Sequence, residues 1–323
     1  MTDPLVLLQI LWTGAATSSI FVLLTIAFSL TQKVTGLWNF AQAGFMGIAF
    51  YATFFVLNEL QLPLIVALAA GAVSAVSAAV LTEIFGLDIL RARKSGSLMF
   101  FIFTLILAQL IIYVLTLLFG TEPRTLYKSI MWPVRIVGGI AISNWDLQAV
   151  ATAVAMVTLL FLFLKTTREG QFLVAVSDNA KLAELYGISA KRAYRATAVI
   201  AGLFICAAMY LAGTRGGVTP NSSFELVLAA TIATLLGGMG RVFIGALAAV
   251  MLALIQSFSV LMISSRWQNL LLYGFLFVAI TLFPHGISFR WPKSKKAKSK
   301  AKSEAAASAP AAVGKPADVA QST

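Results

Sequence analysis

Long apolar stretches separated by short polar breaks dominate the chain, and the polar positions fall at the ends of the stretches far more than within them. About 20 helical residues cross the roughly 30 Å hydrocarbon core of a bilayer. Nine runs reach or approach that length, at residues 5–30, 37–58, 62–86, 98–119, 146–164, 196–213, 224–239, 242–263 and 268–287. Only helices and closed barrels satisfy their backbone in lipid, and these runs are not ten-residue alternating strands. The pattern predicts an all-α polytopic membrane helix bundle of about nine transmembrane helices. The seventh run is short and ends in the Gly-rich "LLGGMGR" (235–241), which also fits a half-helix that turns back, so counts of eight to ten are compatible.

Composition agrees with the pattern. Of 323 residues, 59% are hydrophobic and 11% charged, against about 25% charged in a soluble domain. The single cysteine, Cys206, and single histidine, His285, leave no disulfide within the chain and no Cys/His metal cluster. Cys206 lies in an apolar run and reads as a small buried thiol; His285, in "LFPHGISF", reads as interfacial. The opening "MTDPLVLLQILW" has no basic n-region, so the first run is expected to be a permanent span rather than a cleaved signal.

The net charge of +12 matters because of its placement. With the amino terminus outside and the carboxyl terminus cytoplasmic, 19 of the 24 Lys and Arg fall on the cytoplasmic side. That is the positive-inside asymmetry, and it favours an odd number of spans. Residues 1–290 then form the transmembrane domain, with a cytoplasmic loop at 165–195. Residues 291–323, rich in Lys, Ala, Ser and Pro, form a basic cytoplasmic tail expected to be disordered and able to meet anionic lipid headgroups. The segment 120–145 lies outside on this topology, and its Pro, Gly and Trp predict a loop folded against the membrane surface.

The most polar internal segment is "SDNAKLAELYGISAKRAYR" (177–195). Ser177 or Asp178 can cap a helix beginning near 179, and Gly187 can end it in the left-handed conformation. Leu182, Leu185 and Tyr186 fall on one stripe. About nine residues do not make a stable helix alone, so the stripe must press on a surface: the chain's own bundle, or a protein docked beneath it.

The chemistry available is sparse. The acids sit at the ends of runs, among them Glu59, Glu83, Asp88, Asp146 and Glu225, and no span centre carries a charge. An ion-coupled carrier usually needs such groups near the midplane. Asn39, Gln42, Gln109 and Gln256 are amides within the runs, expected to be buried and suited to hydrogen bonding between helices. No nucleophile–base set, metal motif or phosphate-binding G-x-x-x-x-G-K-[ST] occurs, which argues against an enzyme, a metal or other cofactor, and an ATPase in this chain. A permease driven by a separate ATPase fits these absences; an ATP-independent channel for small uncharged solutes such as urea or amides also fits, but needs no docked helix.

Four blocks resemble the bacterial branched-chain amino-acid ABC permeases, in family order: "GLWNFAQAGFMGIAFYATF" (36–54), "AVSDNAKLAELYGISAKRAYRATAVIAGLFICAAMYLAG" (175–213), "ATIATLLGGMGRVFIGALAAVMLALIQ" (230–256) and "LFPHGISF" (282–289). With the intervening spans they cover nearly all of residues 5–290, and the chain looks most like the first of two permease subunits. The resemblance implies an importer in the inner membrane. A second permease subunit completes a heterodimer, a periplasmic solute-binding protein delivers solute, and two cytoplasmic P-loop ATPases dock on the coupling helices. It places ATPase coupling on Asp178, Ala180, Leu182, Leu185, Tyr186, Gly187 and Ile188, and the solute path at Asn39, Phe40 and Gln42. Two departures bear on the solute: Gln42 stands where the family commonly has His, and "VTPNSSF" (218–224) lacks the Asn and Gly of the family's "I-N-P-x-x-G" loop. Gly237, Gly238 and Gly240 are expected to serve close packing or a tight turn.

Overall fold

The computed structural model describes residues 4–127, 132–238 and 240–259, with isolated positions at 270, 274, 277, 278 and 281. Apart from those positions, the expected ninth span with His285, and the basic tail, lie outside the described residues. The described residues make one compact unit.

Helix α1 (Pro4–Thr35) is the axis of the bundle. From Ile20 to Leu30 nearly every side chain is buried, whichever way it points, so this stretch is surrounded by protein. Most of its hydroxyls donate back to the helix, as in Thr31 Oγ1 to the Ala27 carbonyl at 2.8 Å, whereas buried Thr25 Oγ1 has no hydrogen-bond partner among the described residues. A turn leads to α2 (Gln42–Phe54), which is buried almost throughout and continues into a π-helical turn at Phe55–Glu59. Next come α3 (Leu64–Thr82), a second π turn at Glu83–Leu87 and α4 (Asp88–Ala92). Together these last three form one apolar rod, Leu64–Ala92, six residues longer at its far end than the sequence pattern predicts.

Helix α5 (Ser97–Phe119) buries only Phe100, Thr104, Ala108, Ile112 and Leu115, a stripe of three- and four-residue steps. Its other faces carry exposed Leu110, Leu117 and Leu118. Apolar surface on that scale is stable against lipid or another apolar chain, not against water. The segment after α5 holds a feature the sequence reading passed over. Strands β1 (Val134–Val137) and β2 (Ile140–Ser143) pair antiparallel, with Val137 opposite Ile140, around the two-residue turn Gly138–Gly139. Both glycines have positive φ, at 61° and 84°, as a two-residue hairpin turn requires. "VRIVGGIAIS" carried that signal.

Ser143 then caps α6 (Asn144–Thr166) through a reciprocal box with Asp146. After α6 come α7 (Arg168–Leu185), α8 (Ala190–Arg215), α9 (Ser222–Gly237) and α10 (Val242–Ser259). Among the described residues six helices are long and apolar enough to cross a membrane. Helix α9, with 16 residues, is shorter, as its sequence predicts. Small residues let the helices meet at backbone distance. A Cβ added at Gly202 in α8 would lie 2.9 Å from the Val76 Cα in α3, and one at Gly237 would run into the Gly245 backbone of α10. Cys206 is buried, its thiol donating to the Leu68 carbonyl at 3.6 Å.

Candidate coupling segment and solute path

Helix α7 is two limbs joined at a kink. Thr167 caps the first, its Oγ1 accepting from the Gly170 amide at 3.0 Å. Leu173 and Val176 seat that limb on the bundle. Asn179 breaks the run with φ −159° and ψ 100°, the extended geometry of a helix-capping residue. Its Oδ1 accepts from the Leu182 amide at 3.0 Å. Neither expected cap is used: the Ser177 hydroxyl donates to the Val174 carbonyl at 2.7 Å, and Asp178 is exposed. The reason is register. Ser177 and Asp178 belong to the last turn of the first limb, so the first non-helical residue, Asn179, takes the cap.

The far end behaves as the sequence predicts. Gly187 has φ +81°; its amide donates to the Glu184 carbonyl and that of Ile188 to the Ala183 carbonyl, each at 3.0 Å. These two bonds make a Schellman stop. The limb between, Ala180–Leu185, is too short to stand alone. It is held by buried Ala183, with Ala180 and Ile188 packed against the core. The expected stripe points the other way: Leu182, Leu185 and Tyr186 are 50%, 83% and 80% exposed. Among the described residues, nothing in the bundle covers them.

Asn39, Phe40 and Gln42 come together in the turn between α1 and α2. Asn39 Oδ1 accepts from the Ala41 amide at 3.1 Å. Phe40 packs edge-on against Phe28 and Phe101, with centroids 5.8 and 5.4 Å away. Gln42 is 1% exposed and donates through Nε2 to Thr31 Oγ1 at 2.9 Å and the Ala27 carbonyl at 3.3 Å. Its Oε1 is buried with no hydrogen-bond partner among the described residues, and the residue lines a small cavity with Asn39, Glu83 and Tyr194. These contacts tie α2 to α1.

The family model described as "Branched-chain amino acid transport system / permease component" matches residues 10–281. The chain belongs to this family. The high-affinity branched-chain amino acid transport system permease protein LivH of Escherichia coli (strain K12) is 25% identical over 294 residues, covering 87% of this chain and 94% of the relative. LivH of Salmonella typhimurium is 24% identical with the same coverage. BraD of Pseudomonas aeruginosa, another high-affinity branched-chain amino acid permease protein, is 22% identical over 87% of this chain and 95% of its own length. Among solved structures, PsaBC from Streptococcus pneumoniae in complex with Fab aligns over 89% of this chain and 94% of that chain, at TM-score 0.47 and 14% identity, too distant to inform the site.

The permease also contains a charged cluster that sequence reasoning left apart as run-end residues. Glu83, 3% exposed in the second π turn, pairs with Arg91. Arg91 also reaches Asp88 at 3.2 Å, and Asp88 reaches Arg195 of α8 at 3.4 Å. The Arg91 guanidinium lies 4.2 Å from the centroid of Tyr194. The cluster therefore ties the α3–α4 rod to the base of α8, eight residues beyond Gly187. The Asp88–Arg91 spacing of three residues was a legible helix pair; the Glu83 contact was not, because the expected span stopped at 86. At the other end of the permease Asp146 Oδ2 accepts from Trp12 Nε1 at 3.1 Å as well as from the Ser143 amide at 2.9 Å. Trp145 Nε1 donates to Thr214 Oγ1 at 3.1 Å, and Arg215 stacks over the Trp145 ring at 4.9 Å.

Proposed function

We propose that this chain is the membrane permease subunit of an ABC importer that moves branched-chain or related amino acids inward, driven by separate ATPase subunits. The observation that carries the reading is the distal limb of α7. It is capped at both ends, anchored by Ala183, and leaves Leu182, Leu185 and Tyr186 exposed, with nothing among the described residues covering them. A rigid apolar ridge beside a basic loop is suited to a groove on a cytoplasmic protein, and the permease relatives make a P-loop ATPase its natural occupant. Asp178 lies at the rim of that ridge, and Ala180, Gly187 and Ile188 hold its shape. Two ATPases would serve this chain and a second permease subunit, and a periplasmic solute-binding protein would deliver solute at the opposite face. The topology has the amino terminus outside, with residues 1–290 as the permease domain and 291–323 as a basic cytoplasmic tail. Asn39, Phe40 and Gln42 brace α2 beside the solute route, where Gln42 lines a small inner cavity with Asn39 and Glu83.

The test is recovery of the tagged chain from its native membrane in mild detergent. P-loop ATPases and a second apolar permease are expected to follow it. Leu185→Asp should lose the ATPases alone, because a carboxylate on the ridge would be desolvated without a partner. Recovery of the chain by itself, even after crosslinking, would remove the coupling reading.

A further inference from the structure

A groove of about 980 Å³ runs between α3, α6 and α8. Its lining extends along α6 from Gln148 to Phe163 and along α8 from Ala196 to Tyr210. At 1.5 Å per residue each wall is about 20 Å long, more than the roughly 15 Å that one leaflet adds to the hydrocarbon core. The walls are apolar, with Leu68 from α3, Met156 and Leu159 from α6, and Ile200 and Leu203 from α8. Leu159 and Leu203 are 65% and 45% exposed, so the groove has an open side among the described residues. At one end Gln148 Nε2 donates to the Tyr210 hydroxyl at 3.2 Å. At the other end Glu169, in the first turn of α7, joins the lining.

Glu169 also lines a second, smaller pocket at the foot of α8, together with Phe172, Ser189 and Arg192. The apolar groove and this charged pocket meet at that residue. Arg192 is exposed, and its guanidinium has no hydrogen-bond or ion-pair partner among the described residues. Lys165 and Arg168 lie just before Glu169, and Lys191 just before Arg192. Four cations against one acid make the surroundings of the pocket favour an anion, and basic pockets at the ends of membrane helices hold phospholipid head groups. The room decides what enters the groove. A transmembrane helix is a cylinder about 10 Å across and 30 Å long, on the order of 2,400 Å³, more than twice what the groove holds. An acyl chain is a single file of methylenes, which fits a slot that a helix overfills.

We propose that the groove and the pocket together hold one anionic phospholipid of the surrounding bilayer. Its phosphodiester meets Arg192, and one acyl chain lies between α6 and α8 towards the Gln148–Tyr210 pair. Phe172, Gly187 and Ile188 also line the head-group pocket, so the lipid packs against both ends of the segment that carries the α7 ridge. The site is independent of which solute the permease moves.

The experiment uses the full-length chain, with whatever chains accompany it from its native membrane, in phosphatidylcholine nanodiscs. A trace of phosphatidylglycerol bearing a photoreactive diazirine in one acyl chain is added, and the phosphatidylcholine analogue serves as the control probe. Crosslinked peptides are mapped by mass spectrometry. The phosphatidylglycerol probe should label α6 around Met156 to Phe163 and α8 around Ala196 to Leu203. Excess unlabelled phosphatidylglycerol should compete that labelling away and leave labelling at Leu117 and Leu118, exposed on α5, as it was. Arg192→Gln should lower groove labelling by the phosphatidylglycerol probe about fivefold, the effect of one basic residue near a membrane surface, and should not change labelling by the control probe. Glu169→Gln should raise it. Equal labelling by the two probes would overturn the proposal, as would groove labelling that excess lipid does not compete, the mark of boundary lipid alone. So would a groove that neither probe labels, the result expected if a second permease subunit or residues 260–287 of this chain cover it. If Arg192→Gln does not elute as a single species, Glu169→Gln and competition on the unaltered chain decide by the same readout.

Discussion

Gly187 shows how one residue sets the geometry of a contact surface. Its φ of +81° closes the distal limb of α7, and a Cβ there would meet nothing within 4 Å. The cost of a substitution is therefore backbone strain alone, about 1–2 kcal/mol for an L side chain in this region. Gly187→Val should reach the membrane in normal amounts yet lose ATP-driven uptake, while Gly187→Asn, which tolerates the conformation, should keep most of it. Uptake of radiolabelled solute beside an immunoblot of the membrane fraction checks both. This residue was legible because the left-handed stop is a property of glycine itself. Asn179 was not: three consecutive residues, Ser177, Asp178 and Asn179, can all cap, and which does so depends on where the preceding limb runs out of helix. Gln42 was legible as a buried amide joining helices, but the surroundings that leave its Oε1 without a partner depend on α3 and α8, far away in sequence.

Helices and turns were legible in proportion to how local their causes are. The apolar runs place eight of the nine expected spans on helices, to within a few residues at most ends. The rod Leu64–Ala92 ran past its expected end because the apolar pattern stops at 86, and what carries the helix on to Asp88 and Arg91 is their pairing with Glu83 and Arg195, which only the fold brings together. Glu83→Gln removes the buried charge that faces Arg91, leaving Asp88 as its remaining acid in the cluster. A loss of about 1–3 kcal/mol follows from an imperfectly satisfied buried donor, read as a lower unfolding temperature in detergent. The distal limb of α7 gives the complementary case. Asn179→Ala removes the bond to the Leu182 amide, worth about 1 kcal/mol, and Asn179→Asp retains it. Hydrogen exchange at the amides of Leu182 to Leu185 should speed up several-fold in the alanine variant and stay near wild type in the aspartate one. Equal exchange in all three would mean that Ala183 and the Schellman stop hold the limb unaided.

For the molecule as a whole, the coupling ridge and the Trp145 end of the bundle sit at opposite ends of the same helix, because α8 begins two residues after Ile188 and ends at Arg215, which lies over Trp145. Whether one is cytoplasmic and the other outside is a matter of loop charge. A positive loop resists translocation against the membrane potential, by about 2.3 kcal/mol per charge per 100 mV. The basic residues of 165–195 and of the tail outnumber those of the outer segments, so the bias has a single direction. Cys206 is the only cysteine and is buried, so a Cys206→Ala background allows single reporters. Ile136→Cys on the exposed hairpin should react with a membrane-impermeant maleimide in spheroplasts with intact inner membranes. Tyr186→Cys should react only after that membrane is opened. The reverse pattern would put the α7 ridge outside, beyond the reach of any ATPase, so this one labelling experiment fixes the side of the membrane on which the ridge operates.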